Sequence, residues 1–228
     1  MEKKVGCLII HGFAGSLHEI EPLNKHLLSQ GFITLCPKLE GHTGRKKDLA
    51  KTNYCEWIQS AEEGLMKLEE QCEEVILIGF SMGGLIAMNL ALKHRISALI
   101  TLSSPIYYWD LKRVGANIIN DFKNREFAYL KNYILAAFRI PFAAMINFRL
   151  LLCKTKPLVN EIKCPIFVAQ GLIDDTVKYK SAEYIYTKAE SEIREIRYYN
   201  NSQHIICCGD DKDELFKDVT LFINAYVM

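Results

Sequence analysis

Apolar residues along the chain fall into two kinds of run. Val5–Ile10 (VGCLII) is short and continuously apolar, as a strand buried on both faces requires. Glu19–Gln30 instead spaces Ile20, Leu23 and Leu27 as a helix does, with Leu28 beside them, and Gly31 stands where a helix C-cap belongs. Phe32–Cys36 reads as a second strand stopped by Pro37, and Lys38–Thr52 as a polar surface loop. Tyr54–Cys72 resumes helical spacing, with Trp57, Ala61, Leu65 and Leu68 on one face. A third strand over Glu73–Ile78 leads into a tight glycine-rich turn, Gly79–Gly84, then a helix over Leu85–His94 and a fourth strand, Ile96–Leu102. Ile166–Gln170 and Glu195–Tyr199 add two strands around a helical Ser181–Ala189, and Asp211–Val227 closes the chain as a helix. This alternation predicts an α/β fold: a mostly parallel sheet of about six strands with helices on both faces.

Residues 105–160 break the rhythm. They hold no strand pattern, carry proline near both ends (Pro105, Pro157), and are rich in aromatics, including Tyr107, Trp109, Phe138, Phe142 and Phe148. We read them as a helical cap inserted into a single core made of residues 1–104 and 161–228. The cap has nine Lys or Arg against three Asp or Glu, so the net charge of +1 conceals a basic insertion on an acidic body. Tyr107, Trp109 and Phe138 in the cap are candidate substrate-binding residues. Within it, Tyr133–Cys153 is the one stretch apolar enough to test as a membrane span. Arg139, Pro141, Asn147 and Arg149 interrupt it, so no stable span is expected.

Composition narrows the function classes. With 28 Lys and Arg against 27 Asp and Glu, whole-chain electrostatic binding to nucleic acid is excluded as the default. The eight cysteines form no CxxC pair, and Cys207 and Cys208 are adjacent, which suits reduced thiols rather than a disulfide framework. The N-terminal apolar run is too short for a secretory signal and ends at His11. A cytoplasmic protein is expected.

Chemistry concentrates at Gly79-Phe80-Ser81-Met82-Gly83, a GxSxG pattern set between a strand and a helix. That setting holds a nucleophilic serine on a sharp turn, with the helix N-terminus beneath it to favour a developing anion. A serine hydroxyl needs a base, and the base an orienting acid, in the chain order Ser, Asp or Glu, His. Of the downstream histidines, His94 ends a helix, whereas His204 follows the last strand, where a base belongs. Asp174 and Asp175 both follow the strand before it, and the G-x-x-D-x-x-V spacing from Gly171 to Val177 selects Asp174. The oxyanion donors are expected to be the backbone N–H of Phe13, in the loop after the first strand, and that of Met82. His11 is read as a brace for that loop.

Together, His11-Gly12-Phe13-x-Gly15, Gly41-His42, Gly79-x-Ser81-Met82-Gly83-Gly84, Ser104-Pro105, Gly171-x-x-Asp174-x-x-Val177 and Ser202-x-His204 resemble the small bacterial carboxylesterases of the α/β-hydrolase superfamily, near the monoacylglycerol lipase branch. The resemblance implies an α/β-hydrolase sheet under a small helical cap, and cofactor-free hydrolysis of short-to-medium acyl esters or monoglycerides. Gln203 departs from the glycine usual before the histidine, and the sheet is expected to lack the family's first one or two strands. A thioesterase, or a ligand-binding protein on the same fold, could share the triad, and esters are preferred by resemblance. His42 is a further candidate at the substrate entrance. No metal-ligand spacing, GxGxxG fingerprint or phosphate loop is present, so no metal or cofactor is expected.

Overall fold

Six strands, all parallel, form one sheet in the order β2-β1-β3-β4-β5-β6: β1 Val5–Ile10, β2 Ile33–Leu35, β3 Glu74–Phe80, β4 Ala98–Leu102, β5 Ile166–Gly171 and β6 Arg194–Tyr199. This is a computed structural model, and it describes residues 3–107 and 140–228. The candidate substrate-binding residues Trp109 and Phe138 lie outside the described residues. The helices are α1 Glu21–Ser29, α2 Lys46–Leu49, α3 Tyr54–Glu69, α4 Met82–Ala91, α5 Phe142–Thr155, α6 Lys180–Lys188 and α7 Lys212–Tyr226.

The apolar strands bury both faces, and the period-two alternation sorts their side chains into two cores. Leu8, Ile10, Leu77, Leu99 and Val168 face a layer of α3, α4, α5 and α6, through Trp57, Leu65, Leu85, Phe148 and Ile185. Cys7, Ile9, Ile76, Ile78, Ile100 and Phe167 face α1 and α7, through Leu23, Leu27, Phe216 and Phe222. Asn53 caps α3 as half of a capping box, accepting the Cys55 and Glu56 N–H groups while Glu56 returns a bond to its own N–H.

Three departures from the sequence expectation bear on the site. Residues 38–52 are not simply a polar loop: they contain α2 and bury Leu39, His42, Leu49 and Thr52, the last accepting the Trp57 indole N–H at 3.0 Å. Scattered apolar residues in a polar stretch carry no period, so the pattern did not show them. Strand β3 runs on to Phe80, and α4 begins at Met82, ahead of its two glycines. Within the expected cap, α5 buries Ala144, Phe148 and Leu151 against the helical layer.

Because every strand is parallel, all the loops leaving their carboxyl ends share one edge. The chain lays β2 on one side of β1 and then β3 on the other, which opens a crevice between the loops after β1 and β3.

Candidate active site

Ser81 sits at the tip of β3 with φ 51° and ψ −119°, a region that L-residues rarely occupy. The turn is held by Ser81 N–H donating to the Leu102 carbonyl at 2.8 Å and by Gly84 N–H donating to the Ser81 carbonyl at 2.9 Å. A Cβ at Gly79 would fall on the backbone of Gly83 and Gly84, and one at Gly83 on the Ile10 carbonyl. The strand-to-helix reversal is therefore open only to glycine at those points. Relief of this strain is measurable. Ser81→Gly is expected to be more stable than Ser81→Ala by about 1 kcal/mol, or roughly 2–4 °C in Tm. A glycine variant that melts below the alanine variant would contradict a strained elbow.

His204 Nε2 lies 3.0 Å from Ser81 Oγ, and His204 Nδ1 lies 2.8 Å from Asp174 Oδ2. Residues 81, 174 and 204 are thereby joined in one hydrogen-bonded relay, although the serine and histidine are 123 positions apart. Asp174 is 3% exposed, and its two oxygens have distinct tasks. Oδ1 accepts the Thr176 and Val177 N–H groups, both at 2.8 Å, which fixes the carboxylate plane. Oδ2 accepts Gln170 Nε2–H at 3.0 Å in addition to the imidazole. Asp175 instead accepts from the Thr176 hydroxyl.

Gln170 was not anticipated, yet a polar residue closing the apolar run of β5 was its visible signal. The His204 loop has its own anchor, also unanticipated: Asp211 accepts Asn201 N–H at 2.8 Å, Asn201 Nδ2–H at 3.0 Å and the Ser202 hydroxyl at 3.0 Å. Gln203, at the position where the resemblance implies glycine, is exposed and its φ is not positive. His94 Nε2 meets Glu62 Oε1 at 2.9 Å, away from the relay.

Phe13 follows β1 in a turn closed by Gly15 N–H to the Gly12 carbonyl at 3.3 Å, and Met82 is the first residue of α4. Among the described residues, neither the Phe13 nor the Met82 N–H has an acceptor within the protein. The Phe13 ring stacks on Phe148 of α5 at 4.9 Å and packs on Trp57 at 5.8 Å. His11 braces the loop from below: Nδ1–H donates to the Gly12 carbonyl at 2.9 Å, leaving Nε2 to accept Leu39 N–H at 3.5 Å.

Residues 8–188, most of the chain, match the family model of the alpha/beta hydrolase fold. The chain belongs to the alpha/beta hydrolase fold family. It is 28% identical over 222 residues to a thermostable monoacylglycerol lipase of Bacillus sp. strain H-257, covering 91% of this chain and 86% of that one. It is 22% identical to a carboxylesterase of Bacillus subtilis strain 168, over 95% of this chain and 91% of the relative. Among solved structures, one described with the metagenome-derived lipolytic enzymes LipS and LipT superposes with a TM-score of 0.82 at 20% identity, over 98% of this chain and 94% of that one. Among the described residues of this alpha/beta hydrolase, no group of His, Cys, Asp and Glu could hold a metal ion, and no helix is long and apolar enough to cross a membrane.

The two expected binding residues that are described occupy different places. Tyr107 is half exposed in a surface hollow shared with Lys178, Lys180, Glu183 and Tyr184, its N–H bonded to Ser181 Oγ at 2.9 Å. His42 is buried instead, edge-on to His11 at 5.1 Å and to Trp57 at 5.5 Å, with Nδ1–H donating to the Glu40 carbonyl at 3.1 Å. Burial, and then the neighbouring His11, push its pKa down to about 4, and burial lowers that of His11 too. A buried neutral histidine binds fewer protons folded than unfolded. The stability it contributes is thus complete above about pH 6.5 and is lost as pH falls toward 4, by about 3 kcal/mol for His42. Thermal melts from pH 7.5 to 4.5 should fall steeply for the wild type and less steeply for His42→Asn. Parallel profiles would contradict this.

Proposed function

We propose that this alpha/beta hydrolase is a serine carboxylesterase, acting on short-to-medium-chain carboxylic esters or monoacylglycerols through an acyl-enzyme on Ser81. The observation that carries the reading is the unbroken relay from Ser81 through His204 to Asp174 at the carboxyl edge of the sheet. Ser81 Oγ attacks the ester carbonyl carbon while its proton passes to His204 Nε2. Asp174 holds Nδ1–H and stabilises the imidazolium. The tetrahedral oxyanion accepts the Phe13 and Met82 N–H groups. The bond to the alkoxy oxygen breaks, and His204 returns the proton to the departing alcohol. Water then gives a proton to His204 and attacks the acyl carbon, and collapse releases the acid and restores Ser81–OH.

The substrate class is supported by the relatives named monoacylglycerol lipase and carboxylesterase. Residues 105–160 serve as the cap in this reading. The stacking of Phe148 on Phe13 supports a link between that segment and the oxyanion loop. The free cysteines suit a cytoplasmic setting. A series of p-nitrophenyl esters from acetate to palmitate tests the proposal. Turnover is expected to peak at short or medium chains, and no turnover of any member would sink it.

A further inference from the structure

Beneath the oxyanion loop lies a carboxylate that the relay does not use. Glu19 ends a short 3-10 turn, Leu17–Glu19, and reaches back to the chain before it. Its Oε2 accepts Gly12 N–H at 3.2 Å. The loop is wrapped tightly on this group. A Cβ at Gly12 would lie 3.3 Å from Oε2, and one at Gly15 would coincide with the carboxylate. On its other side is the segment that follows His204: Cys208 Sγ lies 3.8 Å from the His18 carbonyl and 3.9 Å from that of Glu19. Glu19 therefore sits between the oxyanion loop and the histidine loop. Burial pushes its carboxyl up, against the opposing pull of Gly12 N–H, His204 and Ser16 N–H.

Gly12 immediately precedes Phe13, so whatever fixes the Gly12 peptide also aims the Phe13 N–H. The His11 ring holds the carbonyl of Gly12 and Glu19 holds its N–H, so both ends of one residue are pinned. We propose that Glu19 is a positioning residue for acyl transfer: its carboxylate clamps the Gly12 N–H and so holds the Phe13 N–H on the developing oxyanion. The inference rests on the esterase reading of Ser81. Misaimed donors weaken transition-state binding more than ground-state binding, so the loss belongs in kcat rather than KM.

The test compares wild type, Glu19→Ala, Glu19→Gln and Glu21→Gln on p-nitrophenyl butyrate, with melting curves for each. Glu21 is the control, an exposed neighbour paired with Lys25 and His18. Glu19→Ala should lose on the order of 10- to 100-fold in kcat with KM moved less than about threefold. Glu19→Gln, which keeps an acceptor for Gly12 N–H, should recover to within about fivefold of wild type, and Glu21→Gln should match wild type. A Glu19→Ala variant within about twofold of wild-type kcat overturns the clamp, as does a folded Glu19→Gln variant no better than alanine. If the alanine variant does not fold, Glu19→Asp decides, since it withdraws the carboxylate by one methylene: a tenfold fall in kcat supports the clamp and an unchanged kcat overturns it. Wild type with no turnover instead removes the esterase reading, and this inference with it.

Discussion

Ser81→Ala is expected to lose on the order of 10⁶-fold in kcat while keeping its fold. The size of the loss follows from what the hydroxyl does in the proposed mechanism: it supplies the only atom of the relay that forms a bond to the substrate carbon. The relay acts as a unit, so His204 and Asp174 have nothing to activate once Oγ is gone. What survives is the oxyanion hole, worth roughly 10³ over water in enzymes of this kind. The fold should survive because the backbone bonds of the elbow, Ser81 N–H to Leu102 and Gly84 N–H to Ser81, do not involve the side chain. Steady-state rates with p-nitrophenyl butyrate and a thermal melt on the same preparation separate the two effects. A variant that retains more than about a thousandth of wild-type kcat would contradict a nucleophilic Ser81.

Asp174→Asn is expected to cost on the order of 10⁴-fold in kcat. The surrounding donors dictate how the amide must sit. Thr176 and Val177 N–H groups both need an oxygen at Oδ1, so the amide nitrogen replaces Oδ2. There it faces two donors, Gln170 Nε2–H and His204 Nδ1–H. The imidazole can relieve the second clash only by moving its proton to Nε2, which then cannot accept one from Ser81. The alternative flip leaves two buried backbone N–H groups facing an NH₂, so it is no escape. Asp175→Asn leaves these bonds intact, and its kcat should stay within about threefold of wild type. Equal losses in the two variants would contradict the assignment of Asp174 as the orienting acid.

Most of the sheet was legible because its strands are buried on both faces, and such strands write themselves as apolar runs: VGCLII for β1, VILIGF for β3, IFVA for β5. The proposed nucleophile was legible for a different reason. The elbow admits only glycine where chains touch, so steric need left a local pattern, Gly79 and Gly83 around Ser81. His204 and Asp174 could be picked out by their places after strands in chain order, and the structure brings His204 within hydrogen-bonding distance of Ser81 and Asp174 within hydrogen-bonding distance of His204.

What stayed hidden depends on partners distant in sequence. Glu19 looked like the first residue of an amphipathic helix, yet it lies before α1 in its own turn and faces Gly12. His42 is expected at the substrate entrance, and it lines a hollow with Ala14 and Gly15, but its burial against Trp57 and His11 leaves no sign in the sequence. Asp211 read as the start of the last helix, and nothing in its neighbourhood announced that it anchors Asn201 and Ser202 ten and nine positions earlier. Contacts of this kind leave no period, because each is a single pairing between loops.

The central claim is that turnover passes through an ester on Ser81. Intact-protein and peptide mass spectrometry of enzyme acid-quenched during p-nitrophenyl butyrate hydrolysis tests it most directly. The predicted result is one butyryl group per chain, located on the peptide that carries Ser81 and absent from Ser81→Ala. Sustained hydrolysis with the butyryl group on another residue, together with an unacylated Ser81 peptide, would contradict it.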